Sequence, residues 1–514
     1  MIQNVSFLKD AMDSVFLLNQ NMPIDSWLLL TVLFAVQNIF STIVFPWKEI
    51  KIMSIFAILL SLSLLMYFAY RGVSVLILAP VLAILAVVLS GESSQTMGIY
   101  TEVFMQGLGG FAIKYFPLFI LGAIFGKLME DSGYAYSIAH HIVNKLGDKH
   151  ALLAVVLACS ILTYGGISAF VVTFAIYPIA AALFKQANIP KRLIPGAICI
   201  GALTLTMTAL PGSPAIHNVI PMPYFETDAF AAPGLGIIAS IVMLSGAMLW
   251  MYRQLRIAGT NNEGYGNHTL NEKAPHSGVN IPNFWVALLP IFIVIIGNYV
   301  FSKLIIPLWN NSYLADEKFG GVALSSVVGI WAIILSLFLA CLFVIVFSFK
   351  RIDSVTDSLN EGAMGSLLPI FNTASEVGYG SVIATLAGFA VIKQYLMGIS
   401  PDNPLISEAI MVNVLAGITG SASGGLGIAL EIMGANYMQL AQQYNIDPEL
   451  MHRIASLASG GLDSLPHNGA IITMLAICGL THRESYKDIF VVAVIVPIIA
   501  LILVIILGTI FGSF

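Results

Sequence analysis

The stretch TALPGSPAIHN (208–218) lies inside residues 193–225, a run of 33 residues without a charged side chain. Its two prolines and glycine interrupt any continuous helix, because proline removes a backbone donor and clashes with the preceding turn. A second stretch, LDSLPHNG (462–469), repeats proline, histidine and asparagine among apolar residues. Irregular backbone at membrane depth survives only where protein or a wet cavity surrounds it. A single break reads equally as a proline kink satisfied by neighbouring helices; two matching breaks point to a binding site.

The membrane reading rests on composition. The 514-residue chain is 58% hydrophobic and 10% charged, against about 25% charged in soluble chains. Apolar runs of about 20 residues read as spanning helices, here near 53–70, 73–90, 115–130, 233–251, 283–306, 322–349, 366–392 and 488–511. The net charge of -5 sits in loops, and no basic tract invites nucleic acid. Cys159, Cys199, Cys341 and Cys478 lie in apolar segments without metal spacing and read as small core residues, so no metal or cofactor is expected. The chain lacks G-x-S-x-G, H-E-x-x-H and a P-loop, which argues against an intramembrane enzyme. Asp10 and Asp13 stand where a cleavable signal would be basic. Residues 1–52 form an N-terminal extension in which 27–45 reads as one more helix, with Met53 as an alternative start.

Charge gives the threading. Arg71, Lys145, Lys149, Arg253, Arg256, Lys350, Arg351, Arg483 and Lys487 all fall on the cytoplasmic side in one arrangement, which leaves Glu92, Glu226, Asp228, Asp316, Asp402, Asp447 and Glu449 outside. Residues 151–184 are uncharged, too long for one span and too short for two, and both flanks are basic. They read as a re-entrant helical hairpin with TYGGISAF (163–170) at its tip, the alternative being one long kinked helix. Between Asp402 and Asp447, TGSASGGLG (419–427) reads as the tip of a second hairpin, entering from the acidic side.

The two halves match in order. Gly165-Gly166, Asn188-Ile189-Pro190 and His217-Asn218 in the first correspond to Gly424-Gly425, Asn445-Ile446-Asp447-Pro448 and His467-Asn468 in the second. Upstream, EDSGY (130–134) pairs with SEVGY (375–379), setting Asp131 against Glu376. The same order in opposite orientation predicts an all-α polytopic membrane protein of two inverted-topology repeats. Each repeat has a re-entrant hairpin and a broken transmembrane helix, the plan of a secondary transporter with a midplane site. The repeats are read as 53–251 and 283–514, joined by a cytoplasmic linker at 252–282.

The expected substrate site comprises the hairpin tips (Gly165, Gly166, Ser168, Ser421, Ser423, Gly424) and the breaks (Gly212, Ser213, His217, Asn218, Ser464, His467, Asn468). Free N–H groups at a broken helix suit an anion's carboxylate. The alternatives are plain helix packing for the small tip residues and satisfaction of broken backbone for the asparagines. His217 and His467 read more simply as neutral hydrogen-bonding groups than as proton carriers. Asp463 is the foremost candidate for proton coupling, since an acid at this depth is costly unless paired or protonatable; its bland role is a helix cap. Glu376 and Asp131 are further coupling candidates, with capping the simpler role for Asp131, and Glu431 reads as a packing or coupling group. Sodium coupling through tip hydroxyls and carbonyls is the rival within transport, and a passive channel the third reading.

MSIFAILLSLSLLMYFAYRGVSVLILAP (53–80), FGKLMEDSG (125–133) and THRESYKD (481–488) resemble the gluconate permease-like family of proton-coupled organic-anion symporters, over roughly Met53 to the C-terminus. The resemblance implies uptake of a small hydroxycarboxylate with protons across a bacterial inner membrane. It also implies a homodimer with scaffold and transport domains, working as an elevator within a broader ion-transporter superfamily. Gluconate-type members carry HVND where this chain has LPHNG. The breaks resemble the hydroxybutyrate-type branch, which implies a shorter monocarboxylate such as 3-hydroxybutyrate.

Overall fold

The computed structural model describes residues 46–71, 73–147, 150–268, 281–400, 403–466 and 468–514. The expected helix at 27–45, Lys149, Asp402, His467 and most of the linker lie outside the described residues. The first repeat runs α1 (Pro46–Tyr70), α2 (Val75–Leu89), α3 (Ser93–Asp131), α4 (Tyr134–Leu146), then the hairpin arms α5 (Ala151–Tyr164) and α6 (Ala169–Gln186). A broken helix follows as α7 (Ile194–Ala202), α8 (Leu205–Thr208), α9 (Ile216–Val219) and α10 (Met222–Phe225), and α11 (Pro233–Thr260) closes the repeat. The second runs α12 (Phe284–Leu308), α13 (Leu324–Ser348), α14 (Val355–Thr385), α15 (Ala387–Ile399) and the hairpin arms α16 (Pro404–Thr419) and α17 (Ala422–Gln443). The broken helix α18 (Pro448–Ser459) and α19 (Gly469–Cys478) is joined by a 3-10 turn at Leu462–Ser464, and α20 (His482–Phe511) ends the chain.

Packing repeats with the halves exchanged. α1 packs on α2 as α12 packs on α13; α2 meets α14 as α13 meets α3; α15 meets α1 as α4 meets α12. Each incoming hairpin arm lies on its own broken helix, α5 on α7 and α16 on α18. Each outgoing arm lies on the other repeat's second half-helix, α6 on α19 and α17 on α9 and α10. The two repeats meet through the long pair α3 and α14 and through α11 and α20. Six described helices have the length and hydropathy of a membrane span, among them α3, α11, α12, α13 and α20. The molecule is an all-α polytopic protein of two inverted repeats, each with a helical hairpin and a broken helix.

Local chemistry explains the punctuation. The first hairpin turns at Gly166, whose φ of +94° is a left-handed value that glycine adopts without a Cβ penalty. The second turns at Gly420 (φ +64°), and Ser421 then caps α17 by accepting from Gly424 N at 3.1 Å. The outgoing arms end on Asn188 (φ +52°) and Asn445 (φ +54°). These are the two asparagines aligned from the sequence, in matching left-handed positions. All four cysteines are free and buried, as expected of small core residues.

Three helices differ most from expectation. The one placed at 115–130 is the 39-residue α3; its polar Glu102, Gln106 and Lys114 hid the continuity. The ammonium of Lys114 lies 4.7 Å from the centre of the Tyr224 ring, a cation–π contact that accommodates it. The helix placed at 366–392 is α14 and α15, meeting at 93°. The bend is fixed at Gly388, whose N–H donates to Ser54 Oγ on α1 at 2.8 Å, an approach too close for any β-carbon. The helix placed at 233–251 continues to Thr260 and takes Arg253 and Arg256 into it.

Candidate functional site

Each break is closed by an asparagine that reaches back five residues. Asn218 Nδ2 donates to Ser213 O at 3.0 Å, and Asn468 Nδ2 donates to Asp463 O at 3.0 Å. Asn218 also donates to Ala229 O at 2.9 Å, and its Oδ1 faces Arg453 Nη1 at 3.1 Å and His452 Nε2 at 3.3 Å. Asn468 Oδ1 accepts from Ala470 N (2.6 Å) and Ile471 N (3.0 Å), capping α19. At the second break Asn468 thus already takes two of the N–H groups that the half-helix α19 would otherwise leave free. In the first break the half-helix α9 is a single turn.

The first hairpin tip seats on the first break. Tyr164 donates to Pro211 O at 2.7 Å, and a β-carbon on Gly166 would stand 2.9 Å from the Pro214 ring. Gly212 has φ +79° and donates to Ala229 O at 2.7 Å; its own carbonyl accepts from Asn298 Nδ2 of α12 at 3.4 Å. Ser213 is fully buried and its Oγ accepts from Ala215 N at 3.3 Å. Gly165 packs on Ile291, while Ser168 caps α6 and is exposed. His217 is buried, with no partner for Nδ1 among the described residues.

The second tip seats on the second break and on α14. A β-carbon on Gly417 would stand 2.8 Å from Leu462, and Asn413 Oδ1 accepts from Leu462 N at 3.2 Å. Ser423 Oγ lies 3.2 Å from Thr373 Oγ1. Glu376, 3% exposed, presses its Oε2 against Gly424 so closely that any β-carbon there would overlap it. That oxygen has no hydrogen-bond partner among the described residues. Asp463, 6% exposed, accepts from Ser464 Oγ at 3.2 Å. Ser464 O in turn accepts from the Tyr486 hydroxyl at 3.0 Å, and Pro466 O lies 2.9 Å from His482 Nε2.

Asp131 does not join this assembly. It sits at the end of α3, ion-paired with Lys127 at 3.0 Å and accepting from Ser358 Oγ at 2.5 Å. Its alignment with Glu376 is corrected, because α14 continues from Glu376 to Thr385 whereas α3 stops at Asp131. The two acids occupy different depths of corresponding helices. Glu431 accepts from the Tyr224 hydroxyl at 2.8 Å, tying α17 to α10.

Sequence reading missed Arg453. Its side chain on α18 is 0% exposed and reaches across to the first break. Nε and Nη2 donate to Ala231 O at 3.0 and 2.6 Å, and Nη1 to Ala209 O at 3.3 Å. Beside it His452 Nδ1 pairs with Thr227 Oγ1 at 2.6 Å, and Ser456 Oγ donates to Thr208 O at 2.9 Å. The first half of the second broken helix thus holds the carbonyls that the first break frees. An ionisable residue within an apolar unit was the available signal. Outside the spans, Arg192 binds Glu263 (2.7 Å) and Asp488 (2.8 Å). The hydrogen bonds that Arg192 donates hold the Glu263 carboxyl below its ordinary range, and the accepting carboxylate raises the guanidinium above its own.

The fold is similar to that of the YdaH transporter of Alcanivorax borkumensis (TM-score 0.52, 14% identity, 82% of this chain and 90% of that one). It is similar also to MtrF of Neisseria gonorrhoeae, described within a class of antimetabolite efflux pumps (TM-score 0.51, 13% identity, 82% and 85%). In sequence the chain is 44% identical over 457 residues to the transporter YxjC of Bacillus subtilis, covering 86% of this chain and 96% of that protein. It is 24% identical over 372 residues to the high-affinity gluconate transporter of Escherichia coli, covering 69% and 77%. It is 28% identical over 231 residues to the gluconate permease of Bacillus licheniformis, covering 43% and 50%. The family model described as GntP family permease matches residues 50–510. The chain belongs to the GntP permease family and is a multi-pass membrane transporter, not an enzyme.

Proposed function

We propose that this chain carries a small hydroxylated monocarboxylate, gluconate-like or 3-hydroxybutyrate-like, into the cell across the bacterial inner membrane by symport with protons. The anion is enclosed by the two hairpin tips and the two breaks, and Asp463 is the principal coupling acid, with Glu376 beside the second tip. The repeats, joined within 252–282, act in a homodimer by an elevator-type motion of the hairpins against the remaining helices.

One observation carries the reading. Buried polar atoms are normally hydrogen-bonded, and five of the nine described side-chain atoms that lack a partner lie at the tips and breaks. The five are Thr163 Oγ1 at the first tip, His217 Nδ1 and Asn298 Oδ1 at the first break, and Asn372 Oδ1 and Glu376 Oε2 on the face of α14 bearing the second tip; the other four are Ser348 Oγ, Ser485 Oγ and both oxygens of Glu408. Hydroxyl, imidazole, amide and carboxyl groups left unpaired around small-residue tips suit a ligand with one carboxylate and one or more hydroxyls. Asp463 has a hydroxyl partner and no cation within ion-pair distance among the described residues, the setting in which an acid carries a proton.

The test is uptake of a panel of radiolabelled monocarboxylates into proteoliposomes under separately imposed proton and sodium gradients. Accumulation driven by the proton gradient supports the reading; accumulation driven only by sodium replaces it with sodium symport. Equal, gradient-independent uptake of every acid contradicts both.

A further inference from the structure

The second hairpin carries an acid that neither break uses. Glu408, on the incoming arm α16, is 0% exposed, and neither Oε1 nor Oε2 has a hydrogen-bond donor among the described residues. The first hairpin has no counterpart, since residues 151–184 contain no acid.

Its surroundings supply no countercharge. α16 packs against α17, α18, the turn at Leu462–Ser464, α15, α1 and α20. α17 brings Tyr437, which interacts electrostatically with Glu408 and whose hydroxyl donates to Met411 Sδ at 3.7 Å, and Glu431, held by Tyr224. α18 brings Glu449, which accepts from Ala232 N, and His452 and Arg453, both turned to the first break. The turn brings Asp463, bonded to Ser464. α15 brings Lys393, which donates to Asn436 Oδ1 at 2.9 Å, and the exposed Tyr395. α1 brings Tyr67 with Arg71 at one end; the side chains of Lys48, Glu49 and Lys51 at its start lie outside the described residues. α20 carries no charge beyond Asp488. No described cation is within ion-pair distance of Glu408.

An ionised carboxylate buried without a donor is strongly disfavoured, so this packing accommodates the neutral acid. We infer that Glu408 is a proton-binding site on the second hairpin, distinct from Asp463, filled in this arrangement and emptied when the hairpin carries its incoming arm out of it. The step is a simple transfer: the carboxyl oxygen gives its proton to water on one side, and the carboxylate takes one up on the other. The inference rests on the proton-symport reading and extends it by a second titrating group.

The experiment compares wild type with Glu408→Gln, which mimics the neutral acid in size and lacks the exchangeable proton. Radiolabelled gluconate and 3-hydroxybutyrate are the probes. Counterflow without a gradient is expected to stay within about twofold of wild type, while accumulation driven by a proton gradient falls about tenfold. Equal accumulation by the two proteins overturns the inference, and so does parallel loss of counterflow and accumulation in a monodisperse variant. If Glu408→Gln does not fold, Glu408→Asp is the variant to use. It is expected to shift the external pH of half-maximal uptake, and an unmoved profile overturns the inference. Failure of proton symport itself is distinguishable, because wild type would then accumulate neither probe on a proton gradient.

Discussion

Asn218 and Asn468 occupy equivalent places in the two repeats and make the same bond, each donating at 3.0 Å to the carbonyl five residues upstream. The breaks are therefore built loops, not frayed helix. The two asparagines differ in what else depends on them. Asn218 joins a network with Arg453 and His452, whereas Asn468 caps the helix that follows it.

Asn218→Ala is expected to destabilise the protein more than Asn468→Ala. The first leaves Ser213 O without its Asn218 donor and takes the shared acceptor from the buried Arg453 and His452, while Ala229 O keeps the N–H of Gly212, and a buried group left unpaired costs about 1–3 kcal/mol; the second loses one carbonyl bond and a cap of about 1 kcal/mol. Thermal unfolding of the purified variants in detergent checks the order.

Arg453→Lys is expected to lower thermal stability although charge is kept. A lysine ammonium lacks the planar fork with which Arg453 holds Ala231 O and Ala209 O together. Unfolding temperature and transport should fall together, and a variant matching wild type in both would remove the clamp role.

Gly424→Ala is expected to abolish transport, because the added carbon overlaps Glu376 Oε2. Adding Glu376→Ala to Gly424→Ala makes room and should restore the unfolding temperature without restoring proton-driven accumulation. Recovery of both would make Glu376 a packing group.

The ion pair of Glu263 with Arg192 predicts a pH dependence confined to acid. The Glu263 carboxyl is held below its usual value of 4.5, so its contribution is complete above that pH and is lost as pH falls through the lower folded value. The unfolding temperatures of wild type and Glu263→Gln should differ at neutral pH and converge only as the pH falls below 4.5.

Much of this architecture is legible in the sequence because glycine, proline and capping serines mark its interruptions. The hairpins turn at Gly166 and Gly420, and the aligned Asn188 and Asn445 share a left-handed backbone. What was not legible depends on distant partners. Nothing local to Glu102 or Lys114 reveals that α3 runs through them, since Lys114 is accommodated by Tyr224 from the first broken helix. The turn at Leu386 is set by Ser54 on α1. Arg453 reads locally as one polar residue of an amphipathic helix that also carries Glu449 and His452, and its purpose emerges only where it meets Ala209 and Ala231. The pairing of Asp131 with Glu376 failed because a shared Gly-Tyr motif does not report how far each helix continues.

Asp463 is the proposed link between proton and anion. Proton-driven accumulation and gradient-free counterflow of the transported monocarboxylate, measured together in proteoliposomes of wild type and Asp463→Asn, decide that role. The variant is expected to keep counterflow and lose accumulation; an Asp463→Asn protein that still accumulates substrate on a proton gradient as wild type does overturns it.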